Sequence, residues 1–214
     1  MAPERLHIRA ALIIGLALAV LGCRSDASLP RQTITVSNSW SALAVPPDVH
    51  RIAVFYPQSS LRDHVEAYHQ LEGAAFQLKA ARPVLALVDR FNIQTVAKEL
   101  RFQNGGAVSE ETAMRIGHLL GVDSVLLFMI DGPTLTDRIM STRLSRVRPV
   151  TITTKIIRVE SAEVVYLDVV TARMEDYGYG DRWLFDSGDY DVLSREALDR
   201  SIKQTVADLQ SAFR

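Results

Sequence analysis

The side chains able to do chemistry are few and poorly matched to one another. The only cysteine is Cys23, and the five histidines stand at positions 7, 50, 64, 69 and 118. A lone thiol closes no internal disulfide and builds no thiolate metal cluster. His64 and His69 are five apart, which misses the i,i+4 spacing by which one helix face presents two imidazoles to zinc. His118 adjoins the apolar pair Ile116 and Leu119 and reads as a rim residue rather than a base. The acidic run DSGDYD carries Asp186, Asp189 and Asp191, yet it lacks the ligand order and closing glutamate of a calcium loop. It reads as a solvated acidic loop. Neither a G-x-S-x-G elbow nor a phosphate-cradling P-loop occurs. The expectation is a chain with no catalytic residue, no metal and no cofactor.

Composition narrows the classes further. Lys and Arg number 24 against 25 Asp and Glu, so no global field recruits nucleic acid. At 214 residues and 48% apolar, the chain supports one core, or one domain plus a tail.

The position of Cys23 is more informative than its number. Arg5 and Arg9 precede twelve apolar residues, Ala10–Leu21, and then Gly22 and Cys23. That run is too short for the ~20 residues of a spanning helix and fits a signal-peptide core. An ordinary cleaved signal with an incidental cysteine, or a buried helix, is the plain alternative. The stretch VLGC resembles the lipobox of bacterial lipoproteins. That resemblance implies cleavage after Gly22 and lipid on Cys23, and Arg24 at the next position implies an outer-membrane anchor facing the periplasm. Acyl chains hold by burial, roughly 0.8 kcal/mol per methylene. Residues 1–22 are therefore expected to be a signal peptide and 23–50 a lipidated, flexible tether. Within that tether, Thr33–Val36 reads as an extended piece lying on the domain. Fully stretched, such a tether reaches ~90 Å.

From Arg51 to the end the pattern is that of one folded domain, 51–214. RIAVF reads as a buried strand stopped by Pro57. Val65, Tyr68, Leu71, Ala75 and Leu78 mark a helix with Ser60 as its cap. Val84–Val88 reads as a second strand, and Ile93, Val96, Ala97 and Leu100 as a short helix. Another helix, capped by Ser109, turns Ala113, Ile116, Leu119 and Leu120 inward and ends at Gly121. Ser124–Asp131 is apolar on both faces and belongs at the centre of a sheet covered on both sides. TITTKIIRV and VVYLDVVTARM form a hairpin. EDYGYGDRWLFDSGDYD reads as an irregular loop, and Leu198, Ile202, Val206, Leu209 and Phe213 as the stripe of a closing helix. The fold class is α/β (α+β), a mixed sheet flanked by helices.

Several of these pieces, in order, resemble the periplasmic domain of the curli-secretion lipoprotein family, CsgG. They are a strand ending in Asp89–Arg90, a helix with Ile93, Val96 and Glu99, and the string A-x-x-I-G-x-x-L-G-V-D. That string is carried here by Ala113, Ile116, Gly117, Leu120, Gly121, Val122 and Asp123. The match spans about 51–165. The same shape is known in the peptidoglycan-synthase activator LpoB and in the amino-terminal domain of TolB, so the resemblance implies a scaffold more than a task. Pore formation is not expected. The stretch 133–150 carries Arg138, Arg143, Arg146 and Arg148 with no clean alternation, and a midplane arginine facing lipid costs roughly 2–4 kcal/mol.

Charge is segregated along the second half. Thr134–Arg158 holds six basic residues against one acidic, and Glu160–Asp191 nine acidic against two basic. Two solvated faces of one domain are the plain reading. Complementary patches that join copies head to tail are the other. Arg138, Arg143, Arg146 and Arg148, with the aromatics Tyr177, Tyr179 and Trp183, form the candidate interaction surface. The expected protein is a non-enzymatic envelope lipoprotein that binds a secretion or assembly component, with a homo-oligomer open. An LpoB-like activator of a cell-wall synthase is the alternative, and a soluble hydrolase a third for which no motif speaks.

Overall fold

The run SVLLFMID, apolar toward both sides, lies inside the sheet with two neighbours. The computed structural model describes residues 31–39, 44–57, 59, 61–88, 110–134, 136–137, 146–177 and 187–214. In chain order its elements are β1 (Arg31–Asn38), β2 (Arg51–Phe55), α1 (Arg62–Ala81), β3 (Ala86–Val88), α2 (Glu110–Leu119), β4 (Ser124–Asp131), β5 (Val150–Arg158), β6 (Val164–Tyr177) and α3 (Ser187–Ala212). The strands form one six-stranded sheet in the order β1-β6-β5-β4-β2-β3. β2 runs parallel to β3 and β4, whereas β4–β5 and β5–β6 are antiparallel. This is the expected mixed sheet flanked by helices.

Alternate side chains of β4 feed two cores, because successive residues of a strand point to opposite faces. Leu126, Phe128 and Ile130 join the larger core with α1 and α3. Val125 and Leu127 join a smaller one with Ala113 and Ile116 of α2 and with Ala53, Phe55 and Ile157. The larger core includes Ile52, Val54, Ile152, Ile156 and Tyr166 from the other strands.

In α1 the buried residues are Ala67, Tyr68, Leu71, Ala74, Ala75 and Leu78. Val65, expected inward, is exposed. At ~100° per residue it lies about 120° round from Leu71, outside the stripe. The N-cap of α1 is Leu61 without a side-chain cap, and the Leu61 N–H donates to Ser59 Oγ. The caps expected from Ser60 and Ser109 lie outside the described residues. Tyr68 stacks on Tyr56, centroids 4.8 Å apart, and its hydroxyl accepts from the Ile130 N–H at 2.9 Å, tying α1 to β4.

Two boundaries differ from the expectation. The acidic loop was expected to run to Asp191, but α3 begins at Ser187. Tyr190 and Leu193 are buried in register with Ala197, Leu198 and Ile202, so the apolar stripe starts earlier and outweighs the turn-forming residues around it. The expected tether 23–50 is the larger correction. The folded unit begins at Gln32, β1 is an edge strand of the sheet, and Ile34, Val45 and Val49 are buried in the main core.

Residues 44–50 form a strap, and one guanidinium holds two of its carbonyls. Arg82, just after α1, donates from Nη1 to the Pro46 carbonyl and from Nη2 to the Val45 carbonyl, both at 2.9 Å. The same group lies 5.0 Å over the Phe213 ring. The Val45 N–H donates to the Ala212 carbonyl at 2.8 Å. Hydrogen bonds to a charged group are worth ~1.5–3 kcal/mol, and a cation–π contact adds ~0.5–1 kcal/mol. Arg82→Ala is expected to cost about 2 kcal/mol in urea unfolding. Arg82→Lys should recover little of this, because an ammonium cannot fork to two carbonyls.

Candidate interaction surface

The string G-x-x-x-G-V-D is a packing and anchoring device at the end of α2. A Cβ on Gly117 would come within 2.8 Å of Val125 Cγ1 and 2.9 Å of Val159 Cγ2, so only glycine lets the helix lie this close to the sheet. Gly121 has φ +62°. The Gly121 N–H donates to the His118 carbonyl and the Val122 N–H to the Gly117 carbonyl. These are the two bonds of a Schellman ending, which needs a left-handed residue at Gly121. Asp123 then anchors β2: its Oδ2 accepts from the backbone N–H of His50 at 2.9 Å and of Arg51 at 2.7 Å.

On its outer side α2 borders an open apolar groove of about 480 Å³. Met114 and Leu119 from the helix form its floor with Val159 and Ala162 from the β5–β6 turn, and Glu111, Arg115 and His118 stand around them. Leu119 was expected in the core but is 64% exposed. It sits about 110° round the helix from the middle of the buried positions Ala113, Ile116 and Gly117. Val164, at the start of β6, is also exposed. Glu111 and Arg115 pair along the helix at 2.8 Å. The groove offers apolar surface with a charged border, the arrangement of a protein-binding patch. Nothing in the spacing of charges foretold it. The usable signal was the second stripe, Glu111, Arg115 and Leu119 with Met114 and His118, beside the buried one.

The charged residues singled out in the sequence come together only in part. Arg146 and Arg148 are exposed, and Arg148 Nε lies 3.8 Å from Asp137. The Asp137 carboxyl is held below the usual carboxylate value mainly by hydrogen bonds from Thr134. Other cations of the basic run are already engaged. Lys155 reaches Glu110 at 2.6 Å, and Arg158 reaches Asp48 at 2.7 Å and Glu163 at 3.6 Å. The Arg158 hydrogen bond holds the Asp48 carboxyl below its ordinary value. Tyr177 closes β6. Cys23, Asp89, Arg90, Glu99, Arg138, Arg143, Tyr179 and Trp183 lie outside the described residues.

His64 is half-buried, and burial holds its imidazole below the usual histidine range against the opposing pull of Asp63 and Asp131. His69 is exposed and lies 3.8 Å from Glu72. Among the described residues no group of three or more His, Cys, Asp or Glu is placed to hold a metal, and no helix is long and apolar enough to cross a membrane.

No protein-family model and no curated protein matches the chain. Solved structures do. The PelC dodecamer from Paraburkholderia phytofirmans is 14% identical, with 80% of this chain and 95% of that one covered, at a TM-score of 0.34. Lipoprotein GNA1162 from Neisseria meningitidis is 12% identical over 71% and 95%, at 0.36. The LpoB C-terminal domain from Salmonella enterica is 15% identical over 59% and 82%, at 0.37. LpoB is one of the relatives the sequence resemblance implied. At these scores the likenesses carry no argument about site or function.

The anchoring role of Asp123 is testable by unfolding. Asp123→Ala strips the acceptor from two backbone N–H groups and is expected to lower stability by about 2 kcal/mol. Asp123→Asn, which keeps a carbonyl acceptor without the charge, should lose less than half of that.

Proposed function

We propose that this chain is a lipid-anchored envelope protein whose α+β domain binds a protein partner close to the membrane and performs no catalysis itself. The observation that carries the reading is the short distance along the chain between Cys23 and the sheet. With β1 starting at Arg31, only Arg24–Pro30 separate the two. Seven residues span at most ~25 Å. A lipid on Cys23 therefore keeps the start of β1 within that distance of the bilayer. The exposed Leu119 and Val164 supply the apolar surface that a partner would cover.

Two kinds of partner fit. One is a secretion or assembly component of the envelope, with copies of this chain joining in a ring. The other is a cell-wall synthase that the chain activates, the alternative that the sequence resemblance to LpoB implies. In that case the synthase must extend to within reach of the short tether. Sizing of the lipidated protein in detergent separates them. A ring supports assembly, and a monomer that raises synthase turnover supports activation.

The anchor itself has a direct test in cell fractionation. The wild-type protein is expected in the membrane fraction after a high-salt wash and in solution only with detergent. Cys23→Ser should move it to the soluble periplasmic fraction. Membrane retention of that variant would remove the basis of the proposal.

A further inference from the structure

The main core is interrupted by a polar seam between α3 and the sheet. Asp168 on β6 is fully buried, and neither of its carboxylate oxygens accepts a well-formed hydrogen bond, although the Asn38 amide and the Val169 N–H lie near enough to act on it. Its register partner on β5 is Thr154, also fully buried with an unpartnered hydroxyl. The Tyr166 hydroxyl, two residues along β6, is buried and unpartnered as well. From α3 comes Thr205, again fully buried and unpartnered, and one turn later Asp208. The Asp208 carboxylate accepts from the Asn38 amide of β1 at 2.9 Å and from Gln204 at 2.9 Å. Among the described residues, the groups facing Asp168 are thus Tyr166 on its own strand, Thr154 from β5, Asp208 from α3, and Asn38 from β1. One of them, Asp208, is a second carboxylate, and none is a cation.

An ionised carboxylate with no partner in a dry core is costly, and a second carboxylate beside it adds repulsion. We infer that the seam is a proton-binding site and that Asp168 is a pH-sensitive latch on β1. With a proton on Asp168, α3 and β1 sit against β6. Once the proton leaves, the like charges of Asp168 and Asp208 open the Asn38–Asp208 tie and release the edge strand.

β1 is the element that yields, because it has a neighbour on one side only. Beyond its pairing with β6 and the burial of Ile34, it is held by the Asn38 tie, by the Ser39 N–H to the Val169 carbonyl at 3.1 Å, and by Arg200 to the Ile34 carbonyl at 3.0 Å. The strap that follows remains pinned by Arg82. If the lipid anchor proposed above is present, releasing β1 frees the chain from Arg24 to Ala44. The maximal tether then grows from ~25 Å to about 70 Å.

Burial first, and Asp208 second, push the Asp168 carboxyl up to about 6, with the Asn38 amide and Val169 N–H opposing weakly. That lies above the ordinary value of 3.8, so the folded chain holds the proton more tightly than the unfolded one. The stabilisation is complete below about pH 4 and is lost as pH rises through about 6. Asp48 and Asp137 are shifted downward instead, so their contributions change in more acid solution, whereas His64, lowered by burial, gains stability as pH rises through this window, opposite in sign to Asp168.

Hydrogen exchange on the full mature chain, corrected for intrinsic rates, tests the latch at pH 5.0 and 7.5. Protection of residues 31–39 is expected to fall about tenfold or more between the two in the wild type. Asp168→Asn should abolish the fall, and Asp199→Asn, exposed on the same helix, should leave it intact. Wild-type protection that does not change, or an equal fall in Asp168→Asn, overturns the inference. Should Asp168→Asn not fold, the carboxyl carbon of Asp168 in the wild type reports directly by NMR. A midpoint near 6 supports the latch and one near 4 overturns it. Reading exchange on the Cys23→Ser chain as well separates failure of the latch from failure of the anchor.

Discussion

Two-sided burial of β4 is the constraint from which the architecture follows. Val125 and Leu127 on one side, and Leu126 and Phe128 on the other, are each no more than 5% exposed. Each such side chain contributes roughly 1.5–3 kcal/mol when removed from water, so neither face of the strand can be left open. A single sheet satisfies this only with a helical layer on each side. α1 and α3 supply one layer and α2 the other. On the α2 side the fit is close enough to exclude a methyl group at Gly117, and the Schellman ending at Gly121 turns the chain straight into β4. Asp123 then joins the start of β2 to that turn, so the parallel pair β2–β4 is set at its first residues.

The amino-terminal segment is a second, weaker enclosure built on that frame. Ile34, Val45 and Val49 bury little area together compared with the strands, yet each closes part of the main core between α1, α3 and the sheet. The edge that β1 exposes is blunted. The Ile34 carbonyl is taken by Arg200, whose guanidinium also pairs with Glu196, so a foreign strand finds that acceptor occupied. This enclosure shortens the free chain behind Cys23. A segment that looked like a long leash is for the most part structure.

Long elements with a strong period were legible before the fold was known. The double-faced run 124–131, the hairpin of β5 and β6, and the stripe Leu198–Phe213 stand where spacing put them. Short apolar pieces were not. Thr33–Val36 read as an extended piece on the domain but not as a paired edge strand, because Ile34 and Val36 give only two turns of alternation, and Val45 and Val49 sit among prolines and exposed polar residues, where nothing local distinguishes a strap from a linker. Leu119 and Val65 were misread for another reason. Each recurs three residues from a buried neighbour, but on the far side from the centre of the stripe, and spacing to one neighbour does not fix the centre. Asp168 was invisible because alternation along β6 marks which residues face the core without saying that one is a carboxylate with no partner. The Gly117, Gly121 and Asp123 string was visible as a pattern, while its work of close approach, chain reversal and backbone anchoring needed coordinates.

Charge segregation along a sequence is a different thing from charge segregation on a surface, and the β5–β6 hairpin shows why. Antiparallel pairing lays the end of the basic run beside the start of the acidic one. Arg158 therefore meets Glu163 across the turn and Asp48 from the strap, and Lys155 meets Glu110 at the start of α2. Side chains committed in this way are half withdrawn from solvent and cannot also hold a second copy by attraction. What remains unspent on that side of the molecule is apolar. Leu119 and Val164 border the same turn that Arg158 and Glu163 span. A partner bound at this surface, as proposed, would be recognised by shape and water exclusion, with Arg115, Glu111 and His118 at the border.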